Sequence, residues 1–221
     1  MVKVTSLTAQ QQNTQRVNVF LDGKYSFSLD LYQISELGIR VGKEYTEAEL
    51  DTLKDESVFG KLYARALEYT MIRPHSVKEV RDYLWRKTRE TRYRSRATGE
   101  IKVREGVSQA VADRVLERLR AKGYVDDVAF TRYWVENRNQ RKGTSLRRLQ
   151  AELFSKGVAS DIVEEAMQNS PRDENSEIRK IIQKKASKYD DRQKLVAYLA
   201  RQGFSYDTIQ AALSEPEEAE S

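Results

Sequence analysis

Three stretches of the chain end on nearly the same phrase. They read Val115-Leu116-Glu117-Arg118-Leu119-Arg120-Ala121-Lys122-Gly123-Tyr124, Leu149-Gln150-Ala151-Glu152-Leu153-Phe154-Ser155-Lys156-Gly157-Val158 and Leu195-Val196-Ala197-Tyr198-Leu199-Ala200-Arg201-Gln202-Gly203-Phe204. In each, a leucine precedes the glycine by four residues and an aliphatic residue precedes it by eight. An apolar residue follows directly, and Asp127, Asp161 or Asp207 lies four residues on. This is the pattern of an amphipathic helix stopped by a left-handed glycine, with an acid at the positive end of the next helix. A unit of this kind repeated along a chain predicts a stacked helical array, an architecture used mostly to bind other macromolecules.

Two registers fit the repeat: helix pairs, or three-helix units. Ser76-Val77-Lys78-Glu79 is a capping box that opens a helix over Val77–Lys87. In that helix Val80 and Leu84 take the places of Leu149/Leu153 and Leu195/Leu199, and Thr88 replaces the glycine. The three-helix register is preferred because it pairs Val77–Lys87 with Ser145–Lys156 and Asp191–Gln202. It sets repeats at 57–125, 126–170 and 171–214, and makes the likeness of Gly123 to the other two glycines a matter of local turn chemistry.

Ahead of the repeats the period changes. Val2–Thr8 reads as a strand. Arg16–Leu21 and Lys24–Leu29 flank Asp22-Gly23, a tight-hairpin signal. A short helix over Leu31–Leu37 follows, then a capping box at Thr46–Glu49 opening another short helix to about Leu53. A further helix starts near Val58, with Phe59, Leu62, Tyr63, Ala66, Leu67 and Thr70 at helical spacing, and Pro74 stops it. The expected fold is mainly α: an elongated tandem array of three three-helix repeats preceded by a small β-rich module over 1–56. The acidic end, 215–221, reads as disordered.

Charge is distributed unevenly. Residues 1–56 carry 6 basic and 9 acidic side chains, residues 57–150 carry 23 and 11, and residues 151–221 carry 10 and 14. The middle is therefore net +12, the footprint of a chain that meets a polyanion or an acidic protein groove. Two groups stand out within it. Trp85, Arg86, Lys87, Arg89, Arg92, Arg94 and Arg96 lead into an insertion over 88–106, which reads as an exposed basic hairpin or a disordered basic loop. Trp85 lies on the rim of its helix's apolar stripe, between a core and a partner-facing role. Arg138, Arg141, Lys142, Arg147 and Arg148 bracket Gly143 beside a helix N-terminus, where free backbone N–H groups also favour anions. Arg141 and Lys142 read as exposed, and Arg138 as either exposed or an internal ion-pair partner.

Catalytic signals are missing. There is no cysteine, and the one histidine, His75, sits in an interhelical turn. No Gly-rich phosphate loop, nucleophile elbow or HExxH is present. Asp126-Asp127, Glu164-Glu165 and Asp190-Asp191 read as caps and solvated faces rather than metal sites. Tyr124, Phe130, Tyr133 and Trp134 follow helical spacing and read as core. No basic-then-apolar leader and no membrane-length apolar run is present. The expectation is a soluble, cytoplasmic, monomeric protein that is not an enzyme and uses no cofactor or metal.

The ordered combination Gly123-Tyr124-Val125-Asp126-Asp127-Val128-Ala129-Phe130, Arg138, Lys142-Gly143, Leu149-Gln150-Ala151-Glu152-Leu153 and Lys156-Gly157-Val158 closely resembles the central signature of the RecX family, bacterial regulators of the RecA recombinase. The likeness extends over all three helical units, and the front module resembles the N-terminal extension of some members. The resemblance implies a curved array lying in the helical groove of the RecA–single-stranded DNA filament. It also implies inhibition of strand exchange, ATP hydrolysis and the co-protease activity behind the SOS response. It supplies no catalytic residues. The insertion over 88–106 is longer and more basic than the usual turn, so its contacts do not carry over. A nucleic-acid-binding repeat protein acting without RecA is the alternative.

Overall fold

The computed structural model describes residues 1–189 and 191–214; the acidic tail at 215–221 lies outside them. The order is β1 (Val2–Ala9), β2 (Arg16–Leu21), β3 (Lys24–Asp30), α1 (Leu31–Glu36), β4 (Glu44–Tyr45), α2 (Glu47–Ile72), α3 (Val77–Thr88), β5 (Thr91–Arg94), β6 (Ile101–Arg104), α4 (Gln109–Ala121), α5 (Asp127–Asn137), α6 (Leu146–Ser155), α7 (Ser160–Gln168), α8 (Glu174–Lys185), a 3₁₀ turn (Ala186–Lys188), α9 (Arg192–Arg201) and α10 (Tyr206–Ser214). The chain is mainly helical, with tandem three-helix domains behind a small strand-containing module. It forms two compact units: Met1–Arg73 with Val80–Tyr124, and Pro74–Glu79 with the chain from Val125 onward.

In the first unit the sheet runs β3-β2-β1-β4, all antiparallel. Asp22 and Gly23 both take positive φ at the β2–β3 turn, as a two-residue hairpin of matching twist requires. Val4, Val19, Leu21, Phe27 and Leu29 face Leu50 and Leu53 of α2 in one core. A sheet this small becomes stable by such docking. The expected break between a short helix ending near Leu53 and another starting near Val58 does not occur. One 26-residue helix spans both, and position 56/57 falls inside it. Nothing in Lys54–Ser57 interrupts it, and its buried face passes from the sheet core at Leu50 and Leu53 to Leu62, Ala66 and Thr70, where α4 packs. The helix ends where Arg73 turns extended ahead of Pro74.

The second unit holds the remaining two three-helix domains. Phe130, Val135, Leu153, Val158 and Val163 form the core of α5–α7, and Ile178, Ile181, Leu195, Leu199, Phe204 and Ile209 that of α8–α10. Gly123, Gly157 and Gly203 all have positive φ. Each closes a helix with a pair of reversed bonds, as in Val158 N–H to the Leu153 carbonyl (3.2 Å) and Gly157 N–H to the Phe154 carbonyl (2.9 Å). Val158 and Phe204, which follow their glycines, are buried. Tyr124 does not follow them: it is 43% exposed, and Val125 takes the core position instead. Gly123 ends the third helix of its unit, whereas Gly157 and Gly203 end second helices.

The three-helix register is visible in the hydrogen bonds of the second unit. Ser76, at the start of α3, accepts from Glu79 N–H (3.1 Å) and donates to the carbonyl of Lys156, the C-cap of α6 (2.8 Å). Ser145, at the start of α6, accepts from Arg148 N–H (3.2 Å) and donates to the carbonyl of Gln202, the C-cap of α9 (2.7 Å). The next residue repeats the device. Val77 N–H donates to Asp127 (2.9 Å) and Leu146 N–H to Glu174 (3.0 Å). Each serine thus satisfies an orphan group at two helix ends at once. This contact brings the start of the preceding second helix against the glycine: a side chain at Gly157 would stand 2.9 Å from Lys78 Cβ.

Candidate polyanion-binding site

The basic residues fall into two groups, one in each unit. In the first, Arg86 and Lys87 occupy the last turn of α3, where cations complement the helix dipole. Trp85 is 51% exposed, with the Arg89 guanidinium 4.9 Å from its ring. Beyond it the insertion forms a hairpin in which Thr91, Arg92, Tyr93 and Arg94 oppose Arg104, Val103, Lys102 and Ile101. Its base is held by Val107 N–H to the Lys87 carbonyl (3.0 Å), and Gly106 packs so closely on the Thr88 carbonyl that a side chain there would overlap it.

Every residue of both hairpin strands is exposed. Directly opposed residues share a face. One face therefore carries Tyr93, Lys102 and Arg104, with Arg104 5.2 Å from the Tyr93 ring. The other carries Arg92, Arg94, Ile101 and Val103. Arg94 is partly restrained by a bond from Nε to the Gly99 carbonyl (2.9 Å), and Arg92 stands 3.7 Å from Glu90. Arg96 is exposed at the tip. Lys102 and Arg104 belong to this ribbon, although the sequence reading did not single them out. The alternation of Ile101-Lys102-Val103-Arg104 held the signal.

In the second unit the five residues divide. Arg138 grips Glu152 with two bonds (2.8 and 3.1 Å), and Arg148 approaches the same carboxylate at 3.7 Å while also contacting Gln202. Trp134 donates its indole N–H to Glu152 (3.1 Å), and Lys156 and Arg138 stand 4.3 and 5.1 Å from its ring. Burial would raise the Glu152 carboxyl. The bonds from Arg138 and Trp134, with the charges of Arg138 and Arg148, outweigh it and hold the group below the ordinary carboxylate value. Arg138 is correspondingly raised, chiefly by its bond to Glu152. Arg138 is therefore the internal ion-pair partner. Trp134 and Tyr133 are half-buried, and Phe130 is core.

Arg141, Lys142 and Arg147 are exposed. The turn that presents the first two is braced throughout. Asn139 takes a positive φ, and its carbonyl accepts from both Lys142 and Gly143 N–H (2.9 Å each). Arg172 donates to the Arg138 carbonyl (2.6 Å), and Lys184 to that of Arg141. Thr144 N–H donates to Glu177 (2.8 Å), which also meets Arg172 (3.3 Å) and Lys180 (2.7 Å). Gly143, at φ +80°, lies against the Glu177 carbonyl and Ile181. A short turn fixed at so many points presents its cations at little further entropic cost. Lys184 joins Arg141 and Lys142 here, although it lies on the next domain's first helix. Nothing in the local sequence around Gly143 indicates that approach.

His75 is buried in the α2–α3 turn. Among the described residues no group of three or more His, Cys, Asp or Glu is placed to hold a metal ion, and no helix is long and apolar enough to cross a membrane.

Three family models match the chain: the regulatory protein RecX N-terminal domain at residues 2–46, the RecX second three-helix domain at 126–167 and the RecX third three-helix domain at 173–213. Regulatory protein RecX of Bacillus licheniformis is 31% identical across 97% of this chain and 78% of its own length. The protein of the same name from Bacillus pumilus is 32% identical with the same coverage. A crystal structure of regulatory protein RecX superposes with a TM-score of 0.70 at 19% identity, covering 97% of this chain and all of its own. A second, of RecX from Lactobacillus salivarius, gives 0.50 at 19% identity over 70% of this chain and 94% of its own. With three domain matches in order along the chain and relatives above 30% identity over 97% of it, the chain belongs to the RecX family.

Proposed function

We propose that this chain is a non-catalytic regulator that lies in the groove of the RecA–single-stranded DNA filament in the cytoplasm. There it restrains strand exchange, ATP hydrolysis and co-protease activity, tuning DNA repair and the SOS response. The observation that carries this reading is the braced turn at Asn139–Thr144, which holds Arg141 and Lys142 outward beside the exposed Arg147. Fixed cations without an ion pair among the described residues suit a repeating acidic partner, and relatives matching 97% of this chain are named as regulators. Arg138 and Arg148 serve the same surface indirectly, by fixing α5 and α6 through Glu152. Trp85, Arg86, Lys87, Arg89 and the hairpin arginines Arg92, Arg94 and Arg96 supply a second contact. The chain acts as a monomer, without cofactor.

A second reading is favoured by the hairpin alone. A two-stranded ribbon with cations on both faces has the dimensions of a nucleic-acid groove reader, so direct DNA binding without RecA is the competing function.

The charge reversal Arg141→Glu, Lys142→Glu and Arg147→Glu tests the first reading. Exposed charges add little to folding, so helicity and melting temperature stay unchanged. The concentration needed to inhibit filament ATP hydrolysis rises roughly tenfold or more, as loss of several phosphate or carboxylate contacts implies. Undiminished inhibition by the folded variant contradicts the assignment of this surface.

A further inference from the structure

A third cationic group lies in the first unit, on β2 and α2. Arg16 begins β2 and donates to the Ser28 carbonyl on β3 (2.7 Å). The same carbonyl accepts from Ser57 of α2 (2.7 Å), which ties the arginine's anchor to that helix. Lys61 follows one turn after Ser57, and Arg65 one turn after Lys61. Three cations from the sheet and from one stripe of α2 are thereby brought together. Lys61 is exposed, yet desolvation by the surface it lies on, then the fields of Arg16 and Arg65, lowers its ammonium below the usual value. Arg16 is lowered by burial and by Arg65, against the opposing fields of Asp30 and Tyr25. Among the described residues neither Lys61 nor Arg65 forms an ion pair, and Lys61 has no carboxylate among the groups acting on it. Like charges at i, i+4 destabilise a helix. Asp30 and the bond to Ser28 offset part of this repulsion at Arg16, and a bound anion would relieve the rest.

The stripe continues onto α3. The Tyr83 hydroxyl stands 3.5 Å from the Arg65 carbonyl, and its ring stacks on Tyr69 with centroids 4.4 Å apart and planes within 5°. Lys87 lies 4.9 Å from the Tyr83 ring, and Arg86 is among the charges acting on it. Glu68 is the one carboxylate among those charges. We propose that Arg16, Lys61 and Arg65 form a phosphodiester-binding track, carrying a nucleic-acid strand from the sheet along α2 to the stacked tyrosines and the basic end of α3. Cations one helical turn apart, about 5.4 Å, match an anion that repeats along a chain. Tyr69 and Tyr83 are half-buried and stacked on each other, with Lys87 beside Tyr83, so a base would stack at the rim of this pair, a contact an acidic peptide does not make. The acidic N-terminal module thereby gains a share in the binding surface through one arginine.

The inference rests on the reading that the chain meets nucleic acid, and its test contains no recombinase, so its failure is separable from failure of the filament reading. The Lys61→Gln/Arg65→Gln variant leaves Arg16 and its anchor intact. Binding to a labelled oligothymidylate is followed by anisotropy over a salt series. Affinity at low salt falls about tenfold, and the slope of log K against log salt shrinks by roughly 1.4, for two phosphate contacts on a single strand. The melting temperature is unchanged or higher, since a repulsion is removed. The Lys61→Arg variant, which keeps the charge, binds as the parent does. Polyglutamate of matched charge displaces the oligonucleotide much less well than unlabelled oligothymidylate. Unchanged affinity and slope in the double variant overturn the proposal. So does equal displacement by polyglutamate, which would assign the track to an acidic protein surface.

Discussion

Glu177→Ala lowers the stability of the second unit by about 3–5 kcal/mol, the usual cost of removing one member of a buried ion pair. Glu177 is 2% exposed and takes part in three polar contacts. It accepts from Thr144 N–H, pairs with Arg172, itself nearly buried, and meets Lys180. Truncation leaves the Arg172 guanidinium without its carboxylate and the Thr144 N–H without its acceptor. Each is a largely desolvated donor left short of its partner. Urea unfolding followed by Trp134 fluorescence in a Trp85→Phe background reports on this unit alone. A double variant with methionine at both 172 and 177 recovers part of the loss, because an apolar pair leaves no buried charge. A midpoint shift worth less than about 1 kcal/mol in the single variant would show that the pair adds no more than a surface salt bridge.

Gly143→Ala has a comparable effect by a different route. The residue sits at φ +80°, where an L side chain is strained by about 1–2 kcal/mol. The added methyl would also overlap the Glu177 carbonyl and stand 2.8 Å from Ile181 Cγ1. Overpacking of this kind adds roughly 1–3 kcal/mol, for a total of about 2–5 kcal/mol. Gly123→Ala is the control. Its φ of +73° imposes the same strain, but nothing lies within 4 Å of the new methyl, so only the first contribution remains. Equal losses at the two positions would mean that α8 does not pack against the turn as described. The two substitutions together locate the stability of the second unit in the docking of α8 on the loop that carries Arg141 and Lys142.

What could be read from the sequence was what short-range chemistry decides. The Asp22-Gly23 hairpin, the capping box that opens at Ser76 and the glycine stops announce themselves because a few adjacent residues set the backbone. The continuity of α2 did not, because a helix that changes partners midway shows no break in its own sequence; the sheet buries Leu50 and α4 buries Ala66. Tyr124 carried the apolar signal of Val158 and Phe204 but ends a different kind of helix, so its neighbour Val125 is buried instead. The basic middle was evident, but which cations are free was not. Arg138 and Arg148 are held by Glu152, which is nearby in sequence, and that partnership was open to inference for Arg138. Lys184 reaches Arg141 across 43 residues, and Arg16 joins Lys61 across 45, out of a segment whose net charge is negative. Charge counted along a chain cannot register such meetings; they are made by the fold.

Whether the chain regulates a RecA filament is decided by its preference for a RecA-coated over a bare single strand. Affinities measured side by side at physiological salt, with ATP hydrolysis followed in the same samples, separate a filament regulator from a general nucleic-acid binder. A filament regulator binds the coated strand clearly more tightly, and ATP hydrolysis falls as the chain saturates it. Equal affinities, with hydrolysis unaffected at saturation, would contradict that role.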